Sequence, residues 1–73
     1  IINPAGFSFG CVPVLDALKL IRQPLIEVHL TNIHQRPAPY TYSLVSQVAQ
    51  AVICGLGPAG YTLAVRAIAE RLN

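Results

Sequence analysis

Glu27 and His29 carry the strongest chemical signal in the chain. They lie inside Leu25-Ile26-Glu27-Val28-His29-Leu30, a run whose apolar and β-branched residues predict a strand. Residues two apart on a strand point to the same face. Glu27 and His29 therefore become neighbours, while Ile26, Val28 and Leu30 face the other way. A carboxylate beside an imidazole fixes its tautomer, and this makes His29 a candidate general acid or base. The competing reading is a pair at a strand end that satisfies only its own hydrogen bonding. Two polar groups inside an otherwise apolar strand are costly unless paired, which argues against accidental placement.

A second motif is Gly55-Leu56-Gly57-Pro58-Ala59-Gly60, which matches G-x-G-x-x-G. It follows a predicted strand and opens a predicted helix, so Gly55, Gly57 and Gly60 resemble the phosphate-binding turn of Rossmann-type proteins. That fingerprint normally has an acidic residue about 20 positions later, at the end of the next strand. Here the sequence stops at Asn73. The alternative is a tight strand-to-helix turn in which glycine permits close packing. Cys11 has no base to pair with it, and Cys54 reads as a small buried apolar residue. The cysteines and histidines show no zinc spacing, so no metal site is expected. His34 falls on a loop. Phe7, Tyr40 and Tyr42 read as packing groups, because basic residues are not interleaved with them.

The elements that must position these residues alternate. Ile1-Ile2 reads as the tail of a strand, Leu25–Leu30 as the clearest strand, and Ala51–Cys54 as a third, stopped by Gly55. Two of them are almost continuously apolar, as strands of parallel sheets buried on both faces are. One helix is predicted over Cys11–Ile21, with Val14, Leu15, Leu18 and Ile21 as its stripe and Ser8 or Gly10 as its cap. Pro13 is tolerated in its first turn, and Lys19 and Arg22 suit its last. A second helix is predicted over Tyr61–Leu72, burying Tyr61, Ala64, Val65, Ile68 and Leu72. The stretch Thr31–Gln47, with Pro37 and Pro39, is mainly loop, and a short helix is expected near Ser43–Gln50. Strand, helix, strand, loop, strand, helix is α/β alternation, with helices packed on the faces of a parallel sheet. Such a short sheet leaves an edge and part of one face uncovered.

Composition agrees with a surface that something else covers. The chain has 73 residues, 53% of them hydrophobic and only 11% charged. That is too apolar for disorder, and two cysteines are too few for a disulfide framework. No apolar run approaches the roughly 20 residues of a membrane span. No secretory signal is expected, and Ile1-Ile2-Asn3-Pro4 reads as a start in mid-fold. A net charge of +2 on scattered basic residues makes no nucleic-acid patch.

Together, Ile1-Ile2-Asn3-Pro4-Ala5-Gly6, Val14-Leu15-Asp16-Ala17-Leu18, Ile26-Glu27-Val28-His29-Leu30-Thr31-Asn32-Ile33-His34 and Val52-Ile53-Cys54-Gly55-Leu56-Gly57 resemble the C-terminal half of a type II 3-dehydroquinate dehydratase. The resemblance covers essentially the whole chain and makes the glycine motif a family turn. It implies a partial flavodoxin-like, doubly wound parallel sheet: residues 1–73 form the C-terminal half of one domain, with three strands and two main helices of a five-stranded fold. It also implies a cytoplasmic lyase that assembles as trimers into a homododecamer. The reaction converts 3-dehydroquinate to 3-dehydroshikimate in aromatic amino acid biosynthesis (the shikimate pathway) or quinate breakdown, with no metal or organic cofactor.

In the family a tyrosine removes a proton next to the ketone, and a histidine protonates the departing hydroxyl of the resulting enolate. His29 matches that histidine and Glu27 its orienting carboxylate. Asn3 matches a substrate-binding asparagine, and the backbone N–H groups of Leu30 and Thr31 match those that hold the substrate carboxylate. Asp16 matches an acidic residue that reaches a neighbouring subunit's site, and Arg36 a basic residue near the catalytic tyrosine. Phe9 stands where the family has a histidine, and Tyr40 where it has a substrate-binding arginine. The family's catalytic tyrosine, its lid and an active-site asparagine belong to the N-terminal half, and Tyr40, Tyr42 and Tyr61 match none of them. By itself, therefore, this chain is expected to be inactive. The alternatives are a diverged or truncated homologue acting in binding or assembly, and a nucleotide-binding fragment using Gly55, Gly57 and Gly60.

Overall fold

A computed structural model describes residues 1–38 and 40–72 of the chain. Pro39 in the predicted loop and the terminal Asn73 lie outside the described residues. The element order is α1 (Val12–Leu18), β1 (Ile26–His29), β2 (Ala51–Cys54) and α2 (Ala59–Leu72), with 3-10 turns at Ala5–Phe9, Ile33–Gln35 and Val45–Gln47.

β1 and β2 pair in parallel, with Ile26 opposite Ala51 and His29 opposite Cys54. The predicted first strand is reduced to a single parallel bridge between Ile2 and Glu27. Ile2 N–H donates to Ile26 O at 2.9 Å and Val28 N–H donates to Ile2 O at 2.8 Å. Beyond Ile2 the sequence runs into Pro4, which has no N–H to give to a ladder, so pairing stops there. β1 is thus flanked on both sides, and all four of its residues are buried.

The alternation within β1 builds two layers. Ile26 and Val28 form one core cluster with Ala64 of α2, supported by Ala51, Ile53, Ala67 and Ile68. Leu18 of α1, Leu25 and Val45 form another, supported by Ile2, Val14, Val48 and Ala49. Glu27 and His29 point away from the α2 cluster, as the period-two reading requires.

The helices differ from their predicted limits for local reasons. α1 ends at Leu18 rather than Ile21, and the chain continues in tighter i to i−3 turns from Leu20 N–H to Ala17 O and from Ile21 N–H to Leu18 O. Pro24 disfavours helical backbone at Gln23, so the helix runs down before it. Ile21 is exposed as a result, Lys19 caps the C-terminus and Arg22 lies beyond the helix. The expected cap by Ser8 or Gly10 is absent: Cys11 occupies the N-cap without a side-chain bond, while Ser8 Oγ donates to Ala5 O at 2.6 Å inside the preceding turn. Pro13 does sit in the first turn of α1. α2 begins two residues earlier than predicted, and its buried positions are Gly60 and Ala64, with Val65 and Leu72 exposed. The short helix expected near Ser43–Gln50 is the 3-10 turn Val45–Gln47. Phe7 is exposed rather than packed, and Cys54 is only half-buried.

Candidate active site

β1 ends at His29, and Leu30 turns outward instead of continuing the alternation. Beyond that strand end lies a cavity of about 300 Å³ lined by Asn3, Phe9, His29, Leu30, Thr31 and Arg36, among others. Ligands of open α/β sheets bind beyond the carboxyl ends of the strands, which is where this cleft sits.

Glu27 is fully buried and His29 is 5% exposed. Nε2–H of His29 donates to Oε2 of Glu27, and Ser46 Oγ donates to the other carboxyl oxygen, Oε1, at 2.6 Å. Both oxygens are thereby engaged, and the ring is held at Nε2. The imidazole lines the cleft, so Nδ1 is the nitrogen left to meet a ligand. The buried end of the pair is anchored, and its other end borders the cavity.

The remaining predicted residues divide. Arg36 Nη2–H donates to Thr31 Oγ1 at 2.5 Å, which places a guanidinium beside the strand end. Asn3 accepts Ala5 N–H at Oδ1 (3.1 Å) and donates from Nδ2 to the hydroxyl of Tyr61 (2.7 Å). Asn3, His29, Leu30, Thr31 and Arg36 therefore surround one cleft, with Glu27 behind His29. Asp16 is elsewhere, exposed on α1 and 3.8 Å from Lys19.

Ser46 and Tyr61 were not among the sequence candidates. Ser46 reaches Glu27 across 19 positions and Tyr61 reaches Asn3 across 58, separations that no periodicity encodes.

The glycine motif is a structural clamp. Gly55 and Gly57 have φ of +91° and +59°, a region that favours glycine. Gly55 N–H donates to His29 O (3.3 Å) and Gly57 N–H to Leu30 O (2.9 Å), so these amides hold the cleft-lining segment. A Cβ on Gly60 would lie 3.2 Å from Val28 Cγ1 and 3.3 Å from Ile53 Cγ2. Those contacts match the close-packing reading of the motif.

Among the described residues, no group of three or more His, Cys, Asp or Glu is placed to hold a metal. No helix there is long and apolar enough to cross a membrane.

A parallel α/β sheet with helices on both faces and a strand-end cleft around an anchored histidine defines a flavodoxin-like fold of the dehydroquinase kind. The family described as Dehydroquinase class II matches residues 1–69, and the chain belongs to that family. It is 53% identical over 73 residues to the 3-dehydroquinate dehydratase of Hydrogenovibrio crunogenus, covering 100% of this chain and 51% of that protein. It is 49% identical over 73 residues to 3-dehydroquinate dehydratase 2 of Pseudomonas aeruginosa, covering 100% of this chain and 49% of the relative. The crystal structure of type II dehydroquinase from Propionibacterium acnes superposes with a TM-score of 0.91 at 40% identity, over 94% of this chain and 51% of that one. The chain spans about half the length of the curated relatives it matches.

Proposed function

We propose that this chain, the C-terminal half of one dehydroquinase domain, supplies the general-acid half of a 3-dehydroquinate dehydratase active site. The observation that carries the reading is the imidazole of His29 at the cleft, fixed through Nε2 by a carboxyl group that Ser46 holds in turn. A base removes a proton next to the ketone of 3-dehydroquinate to give an enolate. His29, in its protonated form, then gives its Nδ1 proton to the departing hydroxyl. The carbon–oxygen bond breaks, and water and 3-dehydroshikimate leave. Glu27 acts as a positioning residue, stabilising the imidazolium and fixing the ring. The backbone N–H groups of Leu30 and Thr31, with Arg36 beside them, receive the substrate carboxylate, an anion site past a strand end. Asn3 holds a ring hydroxyl. Asp16, outside the cleft on α1, serves a neighbouring copy in a homo-oligomer of trimers, which the resemblance makes a cytoplasmic dodecamer.

No tyrosine of this chain stands in for the base, so turnover requires the other half of the domain. The test is to place the N-terminal half of the Hydrogenovibrio crunogenus relative ahead of Ile1 and follow enone absorbance from 3-dehydroquinate. We expect turnover from the joined protein and none from the 73-residue chain. His29→Ala should lower kcat by about 10²–10⁴-fold, the usual contribution of a general acid. A folded joined protein whose rate is unaffected by His29→Ala would overturn the assignment.

A further inference from the structure

Asn3 borders the cleft with its side-chain amide held by two contacts. Oδ1 accepts Ala5 N–H at 3.1 Å, and Nδ2 donates to the Tyr61 hydroxyl at 2.7 Å. A backbone N–H can only donate, so Ala5 decides which end of the amide is the oxygen. The Tyr61 hydroxyl then takes one of the two Nδ2 protons. Among the described residues, that leaves one Nδ2 proton and one Oδ1 lone pair for a ligand. A ring hydroxyl both donates and accepts, so it can use both.

Each holder is itself fixed. Ala5 has φ of +50°, a backbone region that L side chains rarely adopt and that persists only where the surroundings over-determine it. Phe7 N–H donates to Pro4 O (3.0 Å) and Ser8 Oγ to Ala5 O (2.6 Å), which closes the turn around it. Tyr61 stands in the first turn of α2, one residue after Gly60, whose missing Cβ lets the helix lie against Val28 and Ile53. Its N–H donates to Pro58 O at 3.1 Å. The seating of α2 on the sheet therefore carries the hydroxyl to Asn3 across 58 positions of chain. Tyr61 does not line the cleft.

Resting on the reading above, in which Asn3 holds a ring hydroxyl, we infer that Tyr61 is a positioning residue for substrate binding. The bond to Ala5 fixes one end of the amide and leaves its plane free to pivot. The Tyr61 hydroxyl fixes the other end and keeps the free donor and acceptor aimed at the ligand. The ring hydroxyl is held both before and during the chemical step, so the effect falls on KM and not on kcat.

The test is Tyr61→Phe in the joined protein, a substitution that removes the hydroxyl and keeps the ring. KM for 3-dehydroquinate should rise about 3–10-fold with kcat held within about twofold, the worth of one hydrogen bond. In an Asn3→Ala background the same substitution should change KM by less than about twofold, because no amide is left to hold. A merely structural role would lower kcat through lost folded enzyme and leave KM alone. That result, an unchanged KM, or an equal rise in the Asn3→Ala background overturns the assignment and leaves the dehydratase reading standing. A second readout needs no turnover. In NMR spectra of the full chain, the Asn3 side-chain amide protons should exchange with solvent about 3–10-fold faster in Tyr61→Phe. Unchanged exchange overturns the assignment. If the wild-type joined protein does not turn over, the dehydratase reading fails, and the exchange rate still decides whether Tyr61 holds Asn3.

Discussion

The proposed chemistry of the cleft rests on a short relay of side chains, Ser46 to Glu27 to His29. Glu27 is fully buried, so each carboxyl oxygen needs a partner, and Ser46 Oγ is the one at Oε1. Removing it leaves that oxygen short of a donor and frees the carboxyl group to rotate under the imidazole. In the joined protein, Ser46→Ala should lower kcat by roughly tenfold, in line with about 1.5 kcal/mol for a hydrogen bond to a charged group. KM should hardly change, because Ser46 does not line the cleft. Ser46→Thr, which keeps the hydroxyl, should restore most of the rate. An unchanged kcat for Ser46→Ala would show that His29 alone orients Glu27. The Glu27–His29 pair was legible because strand periodicity is local. Ser46 was not, because its meeting with Glu27 depends on how the 3-10 turn Val45–Gln47 packs under β1.

At the scale of elements, the turn between β2 and α2 connects packing to the site. Its amides hold the carbonyls of His29 and Leu30, and Gly60 lets α2 lie directly on Val28 and Ile53. Both neighbours are β-branched and stiff at χ1, so they yield little to an added methyl group. Alanine would gain up to about 1 kcal/mol of helix propensity over glycine. Overpacking against two stiff side chains costs about 1–3 kcal/mol. We expect Gly60→Ala to destabilise the fold by about 1 kcal/mol net, seen as a lower urea midpoint at unchanged slope. A midpoint at or above wild type would mean that the helix can lift without loss. The G-x-G-x-x-G string could be read from sequence as either a phosphate turn or a packing turn. The partners of its amides separate the two, and those partners lie at the end of β1 and one residue past it.

At the scale of the whole molecule, the chain is a thin slab with extents of 38 × 27 × 13 Å. A slab leaves few positions far from its surface, and many large apolar side chains stay exposed, including Leu20, Val52, Leu63, Val65 and Leu72. Scattered apolar exposure is ordinary, but so much of it on a short chain favours association. With the homo-oligomer proposed above, the chain should sediment well above its 7.8 kDa monomer mass, with a mass that rises with concentration. A monomer at every concentration would remove the support that this surface gives to assembly.

The alternating α/β order, the central buried strand, the shared face of Glu27 and His29, and the family are readable from the chain of residues alone. All of these follow from short-range patterns: periods of two and of about 3.6, turn residues at fixed offsets, and motif strings. Packing in three dimensions is what brings Asn3, Phe9, Thr31 and Arg36 to one cleft with His29, sets Asp16 apart, and puts Ser46 and Tyr61 in place to brace the site. Those contacts join residues far apart along the chain. Their geometry is set by the packing of turns and helices against β1, which no local spacing records.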